Sequence, residues 1–231
     1  MNTKEPISYE RLMDKMLSLR GLKAASILAD PPWRFANRTG KMAPEHRRLN
    51  RYMTLSFDQI ERLPVPEIAS QRCHLYLWVP NALLQYGLRV MAAWGFDYKT
   101  NLVWYKIRKD GGPDRRGVGF YFRNVTELVL FGVRGKFNRT APPGRRQPNI
   151  VMSRKREHSR KPDELYRVIE SCSRSPYVEL FARYSRDGWI SIGDEIDHPR
   201  ARVYRAYGGA GQLLQREEPS TADRVRRLRV G

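Results

Sequence analysis

Four consecutive residues, Asp30-Pro31-Pro32-Trp33, place a carboxylate, two rigid prolines and an indole ring directly after a short apolar run at residues 26–29. The run has the length and composition of one buried strand. The prolines lack an N–H donor and fix φ, so the chain must leave the sheet there as a stiff, extended turn. The four residues, hereafter the 30–33 motif, therefore follow the carboxyl end of a strand, where open α/β sheets bind ligands.

The groups of the 30–33 motif suit chemistry on a planar amine. An amino group on a heteroaromatic ring is a poor nucleophile, because its lone pair is delocalised into the ring. The Asp30 carboxylate and the Pro31 carbonyl can accept its two N–H bonds and favour a tetrahedral nitrogen, while Trp33 can stack on the ring. The alternative is a surface turn with Asp30 as a cap and Trp33 in the core. A strand followed by all four residues favours the catalytic interpretation.

Three further acidic residues are candidates for a pocket. Glu127 lies in an apolar run at residues 125–133 that predicts a strand, and its charge is unexpected among such neighbours. Asp194 and Glu195 follow the last predicted strand, at residues 189–192, and acids in that position commonly bind ribose hydroxyls. The alternatives are a solvent-facing strand residue for Glu127 and an ordinary turn for the other two.

The charge balance indicates the kind of partner. The chain of 231 residues has 43 Lys and Arg against 24 Asp and Glu, a net charge of +19. Such an excess predicts attraction to a polyanion, nucleic acid before membrane. No apolar run approaches the roughly 20 residues that span a bilayer, and the N-terminus lacks a signal-peptide core, so we expect a cytoplasmic protein. Cys73 and Cys172 lack metal-ligand spacing, and we expect two buried, reduced thiols and no metal site.

The basic residues concentrate in three long segments, at residues 34–51, 106–124 and 134–161. The last has one acid, Glu157, and shows neither a helical nor a strand period. Unstructured connections of this length in a compact domain are usually functional, so we interpret all three as loops that face a nucleic acid. Residues 201–231 predict a basic, mobile C-terminal tail after a single domain at residues 1–200.

Helical and strand patterns alternate along the chain. Helices are predicted at residues 8–19 with a Ser8 cap, from a capping box at Ser56, after an Asn81 cap, and from Pro162-Asp163-Glu164 onward. Strands are predicted at residues 26–29, 74–79, 98–105, 125–133, 178–183 and 189–192. The alternation implies parallel crossovers in a three-layer α/β fold.

Several short motifs in a fixed order resemble a known family. From about residue 24 to residue 198, the chain resembles the S-adenosylmethionine-dependent adenine 6-amino methyltransferases related to the catalytic subunit of the eukaryotic mRNA adenosine methyltransferase. The segments that match are Ala29-Asp30-Pro31-Pro32-Trp33, Tyr52-Met53-Thr54, Leu77-Trp78-Val79, Arg116-Gly117-Val118-Gly119, Gly132-Val133-Arg134-Gly135, Arg160-Lys161-Pro162-Asp163-Glu164, Glu179-Leu180-Phe181-Ala182-Arg183, and Gly188-Trp189 with Gly193-Asp194-Glu195.

The resemblance implies a Rossmann-like, mostly parallel and circularly permuted methyltransferase fold, with the catalytic motif ahead of the cofactor segment. It implies S-adenosylmethionine as cofactor, the 30–33 motif as catalytic, and Asp30 close to the cofactor's amino group. Lys161 matches the lysine that meets the cofactor's carboxylate. The remaining matches are to the ribose and adenine pocket (Phe181, Arg183, Asp194 and Glu195) and to substrate-binding positions (Tyr52, Glu127 and Arg116).

The sequence departs from the family pattern at the cofactor pocket. Asp194 and Glu195 stand where the family often has Asn and Gln, which retains acceptors for ribose hydroxyls but changes the contacts to adenine. Ser185 replaces a pocket histidine. The segment before residue 24 does not align. Non-catalytic partner subunits of the family lose the Asp or the Trp of the motif, and this chain keeps both.

The sequence thus predicts methyl transfer to the 6-amino group of adenine, with the target base flipped into the pocket. DNA is preferred over RNA, because the compact, basic chain resembles bacterial or phage modification enzymes and has no separate RNA-binding module. The alternatives are an RNA adenosine methyltransferase and a non-catalytic, nucleic-acid-binding subunit. Association as a homodimer or heterodimer stays open.

Overall fold

The computed structural model describes residues 8–34, 54–114, 121–154, 160–193 and 196 of the 231. Four predicted site residues lie outside the described residues: Tyr52, Arg116, Asp194 and Glu195. The same holds for nearly all of the 34–51 segment and for the predicted tail at residues 201–231. None of the helices in the described part is long and apolar enough to cross a membrane.

The described strands form one seven-stranded sheet in the order β5-β3-β4-β2-β1-β6-β7. Four of the six neighbouring pairs are parallel, and β4 runs antiparallel between β2 and β3. The strands are β1 (Ala24–Ala29), β2 (Ala69–Val79), β3 (Asp97–Ile107), β4 (Thr126–Arg134), β5 (Ile150–Arg154), β6 (Tyr177–Leu180) and β7 (Trp189–Ile192).

Helices cover both faces of this sheet, which confirms the three-layer α/β prediction. They are α1 (Tyr9–Leu17), α2 (Phe57–Glu61), α3 (Val65–Ile68), α4 (Leu84–Ala93) and α5 (Glu164–Cys172). Because successive strand residues point to opposite faces, Ile27 packs in the cluster with α1–α4, whereas its neighbour Leu28 packs in the cluster with α5. The site described below lies on the same face of the sheet as α5.

The order of the strands confirms the permuted, Rossmann-like fold. β1 lies inside the sheet, with β2 on one side and β6 on the other, and all three are parallel. The chain leaves β1 towards β2 and returns on the opposite side only at β6, after α5. The carboxyl end of β1 is therefore a topological switch point, which is where such sheets leave a crevice for a ligand.

The helix caps at Ser8 and Ser56 are confirmed, but the cap predicted at Asn81 is wrong. Both serine hydroxyls accept a backbone N–H bond, and Gln59 completes the capping box at Ser56. Asn81 instead begins a short 3₁₀ turn, and α4 starts at Leu84. The Asn81 amide donates to the carbonyl and hydroxyl oxygens of Thr126, because the turn lies beside the start of β4.

The structure also corrects two predicted boundaries. The 134–161 segment is not a continuous loop, since it contains a 3₁₀ turn (Pro143–Arg146) and the edge strand β5. The alternation of β5 is hidden because its outward side chains, Ile150 and Met152, are apolar. β6 ends at Leu180 rather than Arg183, because Phe181 adopts a left-handed φ of 65° that cannot continue a strand.

Candidate active site

Backbone hydrogen bonds hold the 30–33 motif at the switch point. The Asp30 N–H donates to the carbonyl of Leu180 on β6 at 3.3 Å, and the Trp33 N–H donates to the carbonyl of Pro31 at 2.8 Å. The Pro32 carbonyl accepts from the N–H of Leu55 at 3.1 Å. The turn is therefore fixed on both sides, and the Pro31 carbonyl keeps its second lone pair for a further donor.

Trp33 is a core residue in this arrangement. Only 4% of its surface is exposed, and its indole N–H donates to the carbonyl of Trp78 at 2.9 Å. It packs in the cluster with Leu55 and α1–α4. The expectation that Trp33 offers a free ring face for stacking is wrong for this conformation, since a tryptophan that follows two prolines here turns inward and satisfies its N–H against β2.

The side chains of Asp30, Lys161, Glu127 and Lys106 form an alternating chain of charges, hereafter the ion-pair chain. The Lys161 Nζ lies 3.3 Å from Asp30 Oδ1 and 2.9 Å from Glu127 Oε2. The Lys106 Nζ lies 2.5 Å from Glu127 Oε1. The structure thus brings together Asp30, Glu127 and Lys161, which the sequence assigned to one site from segments far apart in the chain.

Strand register and an aromatic floor position these charges. Glu127 on β4 lies opposite Trp104 on β3, and Lys106 lies two residues further along the same face of β3. The Lys106 Nζ sits 4.8 Å from the Trp104 ring centroid, and the Lys161 Nζ sits 4.7 Å from that of Trp78. Both rings belong to the cluster under α5, so the hydrophobic layer also supports the two ammonium groups.

Electrostatics differ between the two carboxylates of the chain. Burial raises the pKa of Asp30. The positive charge of Lys161 only partly opposes this rise, and the negative charge of Glu127 raises the pKa further. Burial alone also raises the pKa of Glu127, but Lys161 and Lys106 together lower it to about 2. For Lys161, burial lowers the pKa while Asp30 and Glu127 raise it, and the net direction is upward. Glu127 and Lys161 are therefore permanently charged at neutral pH, and Asp30 is the more easily protonated acid.

Glu179 is a third carboxylate at the site, and the sequence pattern did not predict it. It lies opposite Leu28 in the β1–β6 register, and its Oε1 accepts a hydrogen bond from the Tyr166 hydroxyl at 2.7 Å. Its Oε2 is buried without a hydrogen-bond partner in the described part of the chain. Burial, to which Asp30 adds, raises the pKa of Glu179 to about 7. A charge inside the apolar run of β6 is the same signal that singled out Glu127.

The remaining predicted residues that the structure describes follow β6. Phe181 is half-buried against the core, and Arg183 lies near enough for its charge to oppose the raised pKa of Asp30. Ser185 is exposed. Lys106, expected only as one of the basic residues of the 106–124 segment, lies instead at the end of β3 inside the site.

Fold and site together define a Rossmann-like α/β protein that places charged side chains at its switch point. Residues 25–195 match the model of the MT-A70 family, and the chain belongs to this family. Family members are methyltransferases that act on the 6-amino group of adenine and use S-adenosylmethionine as methyl donor. The family and the cofactor expected from the sequence are thereby confirmed.

Relatives of this chain differ in length. It is 30% identical to the human N(6)-adenosine-methyltransferase catalytic subunit METTL3 over 182 residues, which are 76% of this chain and 28% of that protein. It is 28% identical to the N(6)-adenosine-methyltransferase MT-A70-like protein of Arabidopsis thaliana over 180 residues, 75% of this chain and 24% of the relative. Against the type II methyltransferase M.MunI of Mycoplasma sp, identity is 30% over 200 residues, 77% of this chain and 79% of that enzyme. The chain thus spans about a quarter of the plant and animal relatives and most of M.MunI.

The donor set of the site fits the amino-acid end of S-adenosylmethionine. That end carries a carboxylate and an ammonium group, which need a cation and an anion close together. Lys161 would supply the cation, and Asp30 and the unpartnered Oε2 of Glu179 would supply the acceptors. A buried acceptor without a donor is uncommon in a folded protein and is readily explained by a ligand that donates to it.

Proposed function

We propose that this protein transfers a methyl group from S-adenosylmethionine to the 6-amino group of adenine in DNA. The observation that carries the proposal is the position of the Asp30 carboxylate. It stands at the carboxyl end of β1, on a turn fixed from both sides, and is paired with Lys161. A carboxylate beside a carbonyl, here that of Pro31, is the acceptor pair that an amino group with two N–H bonds requires.

The side chains divide the work between the cofactor and the target base. Lys161 holds the cofactor's carboxylate. This contact moves the Lys161 ammonium group away from Asp30 and leaves the Asp30 carboxylate free to accept hydrogen bonds. Asp30 and the Pro31 carbonyl then take the two N–H bonds of the target amine, and Glu127 lines the pocket around the base. Trp33 acts as a positioning residue, since its hydrogen bond to Trp78 holds the turn in place.

The cofactor supplies a methyl group activated by its bond to a positively charged sulfur. Transfer would join the adenine nitrogen to that carbon as the C–S bond breaks, and the electron pair of that bond would stay on sulfur. The nitrogen then carries a positive charge until it loses a proton. Asp30 is suited to receive this proton because burial raises its pKa. Alignment of the reacting atoms in a site shielded from water supplies much of the acceleration.

The choice of DNA over RNA rests on the relatives, because the charge favours either polymer. A net charge of +19 favours a long polyanion, and the type II methyltransferase, most of whose length this chain covers, supports DNA. The N(6)-adenosine-methyltransferases, of similar identity to this chain, support RNA as the second candidate. Flipping an adenine out of a duplex costs a few kcal/mol, which phosphate contacts of the basic segments would offset.

A substrate competition assay tests the proposal. Single-stranded DNA, duplex DNA and RNA of one sequence are offered with methyl-labelled S-adenosylmethionine, and the products are digested to nucleosides. We expect the label in 6-methyl-2′-deoxyadenosine. Label only in the ribonucleoside would make RNA the substrate instead of DNA. Absence of label from every adenine, together with absence of thermal stabilisation by the cofactor, would favour a non-catalytic binding module.

A further inference from the structure

Two consecutive aromatic residues stand almost entirely in solvent beside the site. Tyr121 is 95% exposed and Phe122 is 84% exposed, whereas most aromatic rings in the described residues are buried or half-buried. Each ring leaves a large apolar surface in water, which costs free energy that the fold does not recover. Adjacent exposed rings commonly mark a binding surface.

The backbone places this pair at the end of the sheet that holds the ion-pair chain. The Lys106 N–H donates to the carbonyl of Val125 at 2.8 Å, so the segment after Phe122 joins β3 and β4 at their site-facing ends. Glu127 follows Phe122 by five residues, which limits their Cα separation to about 17 Å. That distance is about five base steps along a stacked strand. The rings thus lie no further than about five nucleotides from the pocket, within reach of the bases that flank the target.

The charges around the pair favour a nucleic acid over a protein. Arg123 follows directly, and Lys109 lies two residues beyond the end of β3. Asp110 pairs with Arg108 at 2.7 Å, and Asp114 is buried, so neither carboxylate gives the surface an acidic character. Aromatic rings interleaved with cations are typical of surfaces that bind single-stranded nucleic acid. A second copy is disfavoured because two chains of charge +19 repel each other.

We propose that Tyr121 and Phe122 form a stacking platform for unpaired nucleotides that flank the target adenine. This inference rests on the proposed function and refines it, because it names the part of the substrate that the second surface binds. The rings stack on the faces of the flanking bases and keep the strand open around the flipped nucleotide. Stacking accepts any base, so the platform contributes affinity and strand separation rather than recognition of a sequence.

The test compares the double variant Tyr121→Ala/Phe122→Ala with Phe137→Ala. Phe137 is 90% exposed and follows β4 at its opposite end, roughly 30 Å away along the nine-residue strand, which makes it a matched control. Fluorescence anisotropy gives Kd for a labelled single-stranded oligonucleotide at fixed salt, and steady-state assays give KM and kcat. We expect the double variant to raise Kd and KM at least tenfold, with kcat, the cofactor-induced rise in Tm and the salt dependence of binding kept. Phe137→Ala should match the wild type.

Rescue and oligomeric state complete the test. Tyr121→Trp/Phe122→Trp keeps two stacking rings and should restore Kd. Unchanged Kd in the alanine variant would overturn the proposal, and so would an equal loss in Phe137→Ala. A change in sedimentation without a change in Kd would show a protein interface instead. The anisotropy measurement needs no methyl transfer, so failure of the proposed reaction and failure of the platform remain distinguishable.

Discussion

At the residue scale, one lysine is shared by two carboxylates whose pKa values are shifted in opposite directions. Lys161 pairs with Asp30 and Glu127, and Glu127 has a second partner in Lys106. Glu127 is therefore fixed and ionised over the whole physiological range, with a pKa near 2. Asp30 depends on Lys161 alone for a direct ion pair in the described residues, so it is the carboxylate that a ligand for Lys161 would release.

Glu179 makes folding stability depend on pH. Burial raises its pKa to about 7, well above the ordinary value of 4.5, so the folded state holds this proton more tightly than the unfolded state. The contribution is fully present below about pH 4.5 and is lost as pH rises towards 7. Relative to Glu179→Gln, which stays neutral, the wild type should lose on the order of 2 kcal/mol of unfolding free energy between pH 5 and pH 8.

Urea unfolding of both proteins at the two pH values measures this difference. Tyr166→Phe serves as a second comparison, because it removes the hydroxyl that donates to Glu179 and leaves the carboxylate in place. A constant difference in unfolding free energy between wild type and Glu179→Gln across the range would show that Glu179 does not titrate there.

At the element scale, the exits of β6 and β7 determine the shape of the crevice. The Ala182 N–H donates to the carbonyl of Ile192 at 2.8 Å, which holds the chain after β6 against the end of β7. A Cβ added to the buried Gly193 would overlap the carbonyl oxygen of Ala182. The close approach needs glycine, and it sets where Phe181 and Arg183 lie relative to Asp30.

Gly193→Ala should destabilise the fold by more than about 2 kcal/mol, because backbone must move and no flexible side chain can yield. Ser191→Ala, two residues earlier on β7, is the control. The Ser191 hydroxyl is buried without a hydrogen-bond partner in the described part of the chain, so its removal should leave stability unchanged or raise it by about 1 kcal/mol. Denaturant melts of the two variants compare these effects directly, and a Gly193→Ala protein as stable as the wild type would refute the close contact.

The elements that the sequence predicted correctly are those with a strong local signal. Ser56 with Gln59 predicts a capping box, and the buried run before the 30–33 motif predicts β1, because both depend on neighbours in the chain. Strand β5 was missed because an edge strand pairs on one side only, and because its outward-facing residues Ile150 and Met152 are apolar. The turn at Asn81 was missed because its amide is used by Thr126, which is distant in sequence.

The site residues divide in the same way, into those with a local sequence signal and those that depend on partners distant in the chain. Asp30 and Glu127 stand out from their own neighbours, whereas Lys161 was assigned only through family resemblance. Lys106 and Glu179 become visible once β3, β4 and β6 are paired with their neighbours, since register decides which charges meet. The burial of Trp33 depends on the carbonyl of Trp78, and no local pattern reveals that partner.

At the scale of the whole molecule, we expect nucleic-acid binding and chemistry to depend on different residues. Positive charge is spread over the chain, whereas the groups that can orient an amine are gathered at one switch point. Phosphate contacts are numerous and individually weak, so no single acid in the crevice is needed to retain a nucleic acid. Removing the carboxylate of Asp30 should therefore abolish the reaction and spare the binding.

The most direct test measures both quantities in Asp30→Ala. Transfer of labelled methyl groups to adenine should fall at least about a hundredfold at saturating cofactor and nucleic acid, because the acceptor that orients the amine is gone. The Kd for the same oligonucleotide should stay within about twofold of the wild-type value. Methyl transfer by Asp30→Ala at the wild-type rate would contradict the account of this site.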